Sequence, residues 1–274
     1  MKEFGLIGCG SMGGALAKAA AEKLPAGQML LANRTPAKAQ ALAQQLGGEA
    51  VSNGQAAQQA RFLLLGVKPQ MMAGMLEGIA PVLAQRAAAG ERFVLVSMAA
   101  GLTCAQLQTL AGGAYPVLRI MPNTPAAIGK GMTTYCHAGV QPQELADFLQ
   151  MMECAGRFDE LEERLMDAAS AVAGCSPAFV YQFIEALADG GVECGLPRAK
   201  AIQYAAAAVE GAAALVLESK KHPGELKDAV CSPGGSTIAG VHALEKGGMR
   251  AAVMDAVTAA AARGAKLGKE ASQK

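Results

Sequence analysis

One stretch near the N-terminus limits the folds open to this chain. Gly8-Cys9-Gly10-Ser11-Met12-Gly13 lies between the short apolar run Phe4–Ile7 and an alanine-rich stretch over 12–23. Glycines spaced G-x-G-x-x-G at a strand-to-helix junction suit a βαβ unit that binds a dinucleotide. The first permits a tight turn and the second lets a pyrophosphate approach the backbone. The third lets the helix pack close to the strand, with its N-terminus facing the anion. A plain glycine-rich turn is the alternative, and the flanking strand and helix favour the dinucleotide reading.

The residues that follow continue the pattern. Short apolar runs at Phe4–Ile7, Met29–Ala32, Glu49–Val51, Phe62–Val67, Phe93–Ser97 and Val117–Met121 are each bounded by Gly, Pro, Asn or Ser, as strands are. Helical stretches such as 12–23 and 37–46 separate them, and Thr133–Cys136 and Arg157–Glu160 finish the sheet. This alternation predicts a parallel, doubly wound sheet in an N-terminal α/β Rossmann-type domain, residues 1–161. Beyond it, long Ala/Leu/Val-rich runs at 162–173, 178–189, 198–219, 224–230 and 237–268 predict an all-α domain over 162–274. Ser176-Pro177 reads as an N-cap followed by Pro at the first helical position, Pro197 as a first-turn residue, and Gly190-Gly191 as a helix stop. The stretch 205–217 is apolar on more than one side, more than a surface helix requires, so a second copy of the chain is expected to cover it.

Composition removes other classes. Apolar residues make up 52% and charged residues 17%, the reverse of a disordered chain. A net charge of +1 without a basic run gives no electrostatic footprint for nucleic acid or an anionic membrane. Seven cysteines, an odd number with no C-x-x-C pair, and three scattered histidines argue against a disulfide framework and a zinc site, so no metal is expected. The N-terminal apolar run is too short for a signal peptide, which needs about 7–15 such residues. No window reaches about 18 uninterrupted apolar residues, and a cytoplasmic location with no membrane partner is expected.

The end of the second strand bears on cofactor choice. An NAD site places Asp or Glu there to bind the ribose 2′-hydroxyl. Here the residues are Asn33-Arg34-Thr35, an amide, a guanidinium and a hydroxyl that suit a 2′-phosphate. NADP(H) is therefore preferred, with NAD(H) possible; an ordinary solvated charge is the other reading of Arg34. Loops at the carboxyl ends of strands border the ligand in such sheets. That adds Gly66, Val67, Lys68 and Pro69, and Met98, Ala99, Ala100 and Gly101, to Ile7, Gly8, Cys9, Gly10, Ser11, Met12 and Gly13. Lys68 reads equally as a turn residue.

In the helical half, residues 165–197 hold no Lys, Arg or His, so no strong acid is offered to a carbonyl there. A C=N substrate removes the need, because an imine enters already protonated. Cys231-Ser232-Pro233-Gly234-Gly235-Ser236-Thr237 precedes a helical run and forms either an anion-receiving turn with free N–H groups or a capped inter-helix loop. His242 reads as a packed histidine and His222 as a loop residue.

These residues, together with Met121-Pro122-Asn123-Thr124-Pro125, Glu185–Gly191, His222–Asp228 and Gly247-Gly248-Met249-Arg250, resemble the 1-pyrroline-5-carboxylate reductase family nearly end to end. The resemblance implies reduction of (S)-1-pyrroline-5-carboxylate to L-proline, the last step of proline biosynthesis, by hydride transfer from NAD(P)H to C5 of the imine. It implies a homodimer interlocked through the helical domain, which in this family can assemble into a pentamer of dimers. It assigns Ser232, Gly234, Gly235, Ser236 and Thr237 to the substrate, with Thr237 catalytic near the ring nitrogen. It also places Glu163 at the active site and Asn53 on the adenosine side of the cofactor. Two positions depart from the family pattern, Ser176 for a glycine and Ala229 for an asparagine. The first bears on the helix start beneath the substrate, and the second removes one polar contact to the cofactor. A reductase of another cyclic imino acid and a non-catalytic NADP-binding sensor are the alternative readings.

Overall fold

The computed structural model describes residues 1–272. Eight strands, β1 (Lys2–Ile7), β2 (Met29–Ala32), β3 (Glu49–Ala50), β4 (Ala60–Leu65), β5 (Val94–Ser97), β6 (Val117–Met121), β7 (Gly131–Ala138) and β8 (Gly156–Glu160), form one sheet. Their order is β3-β2-β1-β4-β5-β6-β7-β8. The helices α1 (Ser11–Ala21), α2 (Pro36–Leu46), α3 (Asn53–Gln59), α4 (Pro69–Ala88) and α5 (Cys104–Ala111) make the crossovers, and α6 (Pro142–Met151) joins β7 to β8. Crossovers leave both sheet faces covered, so β2 and β5 are buried at every position. One core gathers Ile7, Leu63, Leu65, Leu76 and Leu95 on one face; the other gathers Phe4, Leu6, Leu31, Phe62 and Leu64.

The expectation of a parallel sheet needs one correction, because β6 and β7 are antiparallel. Residues 122–130 between them hold only the 3-10 turn Thr124–Ile128, too short for the crossover of a dozen or more residues that a parallel pair requires. All other pairs are parallel.

The chain divides into two compact units, Met1–Cys175 with Ala260–Lys274, and Ser176–Ala259. The sequence reading puts the boundary after residue 161. The first unit continues past it because Met166, in the short α7 (Met166–Ala169), is fully buried in the sheet core and Asp167 pairs with Arg119 of β6 at 2.9 Å. After α7 the helix widens into a π turn, Ser170–Gly174, in which Cys175 N–H donates to the Ser170 carbonyl.

The second unit consists of α8 (Ser176–Glu193), α9 (Arg198–Ser219), α10 (Pro223–Ala229), α11 (Ser236–Lys246) and the start of α12 (Met249–Ser272). Three details of the sequence reading change here. Ser176 is no N-cap, because the preceding turn already runs helically into it. Gly190-Gly191 does not stop α8. The stop is Gly195, at φ +97°, with Leu196 N–H returning to the Gly191 carbonyl in a left-handed cap. Gly191 instead permits close packing, since a Cβ there would stand 3.3 Å from that of Ala201 on α9. The run over 237–268 is two helices, broken at Gly247-Gly248 with Gly248 at φ +72°. Among the described residues of this unit only Ala188, Ala201 and Ala205 are buried apolar positions, whereas Tyr181, Ile202, Leu215, Leu244 and Met254 are exposed.

Candidate active site

The glycine loop emerges where the strand order reverses. Ile7, the last residue of β1, is in register with Ala32 on one side and Leu65 on the other, so Gly8, Asn33 and Gly66 stand level at the carboxyl edge. Ligands of open α/β sheets bind at this switch point. The backbones pack too closely there for side chains. A Cβ on Gly8 (φ +111°) would lie 2.5 Å from the Gly66 carbonyl oxygen, and one on Gly13 would strike the Gly8 carbonyl oxygen. Gly10 differs, because a Cβ there would meet nothing within 4 Å and would project into the space that a ligand would use.

Gly10 is the N-cap of α1, with no side-chain cap and no acidic residue in the first turn. The N–H groups of Ser11, Met12 and Gly13 therefore remain for an anion. Burial pushes the Cys9 thiol up to about 11, so it adds no negative charge. These features fit a dinucleotide pyrophosphate.

At the end of β2 the three polar residues divide their tasks. The Asn33 amide accepts Cys9 N–H at 3.0 Å and donates to the Thr35 carbonyl at 3.0 Å, which ties the loop to the strand end. Arg34 is exposed and makes no ion pair among the described residues. Thr35 is the N-cap of α2. Asn53 opens α3 behind Ser52, whose capping box with Gln55 fixes that turn. Lys68 is exposed at the N-cap of α4, with Pro69 starting the helix.

After β5, Ser97 Oγ accepts the Ala99 N–H at 3.2 Å, and Gly101 adopts φ +77°. The backbone of Gly101 lies against Gly268 near the end of α12, where a Cβ on either glycine would collide. Nothing in the sequence reading pairs these two; only their both being glycine hints at a close approach.

Glu163 belongs to the first unit and starts a 3-10 turn, Glu163–Leu165. Its Oε1 accepts the Cys104 N–H at the start of α5 at 2.7 Å and stands 3.7 Å from Arg119 Nη1. The Cys136 thiol of β7 is 3.9 Å from the same oxygen. Donating to Cys136, together with burial, pushes the Cys104 thiol up, while accepting that bond lowers Cys136.

The turn at 232–237 belongs to the second unit. Gly235 N–H donates to the Ser232 carbonyl at 3.1 Å, Gly234 adopts φ +69°, and a Cβ on Gly235 would strike Ser232 Oγ. Gly235 is the N-cap of α11, again without a side-chain cap or first-turn carboxylate, and Ser236 and Thr237 are exposed. Several described helices start without a side-chain cap, and two of them, α1 and α11, do so behind a glycine turn, one in each unit.

A dinucleotide-binding fold joined to a helical unit with an uncapped glycine turn is the architecture of a nicotinamide-dependent oxidoreductase. Residues 3–101 match a family model described as NADP oxidoreductase, coenzyme F420-dependent, and residues 163–267 match pyrroline-5-carboxylate reductase dimerisation. A pyrroline-5-carboxylate reductase of Escherichia coli (strain K12) is 42% identical over 273 residues, 98% of this chain and 99% of that one. One from Pisum sativum is 39% identical over 268 residues, covering 96% and 95%. A crystal structure of Plasmodium falciparum pyrroline carboxylate reductase with NADP bound superposes with a TM-score of 0.86 at 30% identity, covering 97% of this chain and 98% of that one. The chain belongs to the pyrroline-5-carboxylate reductase family.

Proposed function

We propose that the chain reduces (S)-1-pyrroline-5-carboxylate to L-proline. The observation that carries this reading is the pair of uncapped helix N-termini, one behind Gly8–Gly13 and one behind Gly234-Gly235. The first suits the pyrophosphate of NADPH. The second suits a substrate carboxylate, held by the N–H groups of Ser236 and Thr237 with Ser232 bracing the turn. The coenzyme, when bound, supplies a hydride. The chain's own residues would hold the ring with C5 open to the coenzyme, and the C=N pair of electrons would pass to nitrogen as the C–H bond forms. The reading gives the bond at that nitrogen to Thr237 Oγ1, which is exposed in the first turn of α11. No general acid is needed if the imine enters protonated, which fits the absence of Lys, Arg and His from 165–197. Glu163 would reach substrate only through Oε2, since Oε1 is engaged by Cys104 and Arg119.

On the coenzyme side, the reading assigns Ile7–Gly13, Asn33, Arg34, Thr35, Asn53, Gly66–Pro69 and Met98–Gly101, with NADPH preferred and NADH accepted. The exposed apolar face of the second unit supports a homodimer. A groove of about 560 Å³ between α10, α11 and α12, lined by Val241, Leu244, Met249 and Val253, belongs to that face. The segments Glu163–Glu193 and Arg198–Ser219 are long and apolar enough to cross a membrane, with a mean hydropathy of 1.3. A second copy covering them accounts for that character, and the dimers are read as assembling further into a pentamer. Seven free cysteines suit the cytoplasm.

Purified protein given pyrroline-5-carboxylate should oxidise NADPH and form proline. Absence of turnover with both NADPH and NADH would overturn the reading. Light scattering should give a dimer or a decamer, never a monomer.

A further inference from the structure

We propose that Cys104, Cys136 and Glu163 form a binding site for one thiophilic divalent metal ion, of which Zn²⁺ is the representative, beneath the loop between β5 and α5. The residues are distant in sequence and arrive on three elements, the first turn of α5, the middle of β7 and the 3-10 turn before α7. One ligand atom from each, two sulfurs and a carboxylate oxygen, lies within 4.8 Å of the other two. Tetrahedral zinc, with bonds of about 2.3 Å to sulfur and about 2.0–2.2 Å to oxygen, places its ligand atoms about 3.5–3.8 Å apart. Cys136 Sγ and Glu163 Oε1 already stand 3.9 Å apart. Binding would therefore draw that pair together by only a few tenths of an ångström.

The donors choose the ion. Magnesium and calcium take oxygen ligands, whereas two cysteines select a softer metal. Two thiolates and a carboxylate around a divalent ion leave one net negative charge, and Arg119 stands beside it. Arg119 is 2% exposed; its Nη2 already pairs with Asp167, while its Nε has no hydrogen-bond partner among the described residues. An unpaired buried donor is costly, and an anionic cluster at this position would lower that cost. The Cys104 N–H holds the carboxylate toward the sulfurs at 2.7 Å, an orienting bond of the kind that metal sites use. Both thiols are buried, but the Glu163 side chain keeps 37% exposure, which leaves a route for the ion and for a water as fourth ligand.

The site closes on the turn Gly101-Leu102-Thr103 that leads into Cys104. Fixing the start of α5 would also fix this turn, which the proposed coenzyme reading places beside the nicotinamide. That consequence rests on the coenzyme reading, and metal binding itself does not.

The test uses the full chain, reduced and stripped with a chelator, titrated first with Co²⁺ and then with Zn²⁺. Expected are a thiolate-to-cobalt charge-transfer band in the near ultraviolet, saturation at one ion per chain, and displacement by zinc. Cys104→Ser and Cys136→Ser should each abolish the band, Cys194→Ser, at an exposed position, should keep it, and Glu163→Gln should weaken binding about tenfold or more. The absence of a charge-transfer band in the reduced wild-type chain would overturn the proposal, as would its survival in both serine variants. So would a protein isolated without reductant in which Cys104 and Cys136 resist alkylation and the mass is lower by two hydrogens, since that pair is then a disulfide.

Discussion

The Asn123 amide donates to the Ala173 carbonyl at 2.9 Å, four residues ahead of Pro177. Proline has no N–H, so a helix running through 177 leaves the carbonyl of residue 173 without its usual partner. Asn123 supplies the missing donor from β6's end, and its Oδ1 accepts Met132 N–H at 2.9 Å. Met121–Pro125 thus owes its asparagine to a helix it is remote from in sequence. Asn123→Ala should strand one part-buried donor, the Met132 N–H, and one part-buried acceptor, the Ala173 carbonyl, at about 1–2 kcal/mol each, the lower part of the range for fully buried groups. Urea denaturation at fixed protein concentration should show a combined loss of about 2–4 kcal/mol.

Gly10 and Gly13 separate binding from folding. A methyl at Gly13 strikes the Gly8 carbonyl oxygen, so Gly13→Ala must shift α1 away from β1 and should lower the thermal midpoint. A methyl at Gly10 meets nothing, so Gly10→Ala should melt like the wild type. Its cost should appear in coenzyme binding, as an increase of about tenfold or more in the NADPH dissociation constant measured by fluorescence.

Arg34 is the one exposed cation among Asn33, Arg34 and Thr35, and it pairs with no carboxylate among the described residues. Hydrogen bonds to charged groups contribute about 1.5–3 kcal/mol. Arg34→Ala should therefore lower kcat/KM for NADPH by about tenfold to a hundredfold while leaving NADH nearly unchanged. An unaltered ratio would remove Arg34 from the 2′-phosphate.

Arg92 and Glu144 give a pH-dependent test of the fold. Burial alone would raise the Glu144 carboxyl, but the Arg92 fork and the Gln141 N–H outweigh it and hold the group below its ordinary 4.5. A depressed carboxylate stabilises the fold above its unfolded value, and that contribution fades as pH falls through the folded one. Arg92→Met should therefore be less stable than wild type near neutrality. The gap should narrow as pH drops below 4.5, followed by thermal melts across that range.

The sheet was legible because strands covered on both faces are short apolar runs, and β2, β3, β5, β6 and β8 match the expected segments to within one residue at either end. The other three differ by two residues: β1 starts at Lys2 rather than Phe4, β4 runs Ala60–Leu65 rather than Phe62–Val67, and β7 extends from Gly131 to Ala138 around the expected Thr133–Cys136. Direction was less legible. Nothing in the β7 residues says that it runs antiparallel, and only the shortness of the β6–β7 connection does. Glycine pairs misled twice, because a glycine marks close packing (Gly191 against Ala201) as readily as a helix stop. The two glycine turns that precede α1 and α11 were visible as local patterns. The Cys104–Cys136–Glu163 cluster was not, since its spacings fit no ligand motif and only the packing of α5 and β7 joins them.

Thr237 and His242 lie on the same helix and separate chemistry from bulk. Thr237 is in the first turn of α11, one residue after Ser236, where its hydroxyl and N–H share the open helix end. His242 is further along the helix and exposed, with no hydrogen bond among the described residues. Positioned groups of this kind contribute about 10²–10⁴-fold where a proton moves in the transition state, and less where a hydroxyl only orients the nitrogen. Thr237→Ala should therefore lower kcat by about tenfold to a hundredfold with a smaller change in KM. Thr237→Ser should recover most of the loss, because it keeps the hydroxyl. His242→Ala should stay near wild type in both constants. Equal losses in the two alanine variants would move the ring nitrogen's partner away from Thr237, leaving the carboxylate turn at 234–236 as the part of the site still standing.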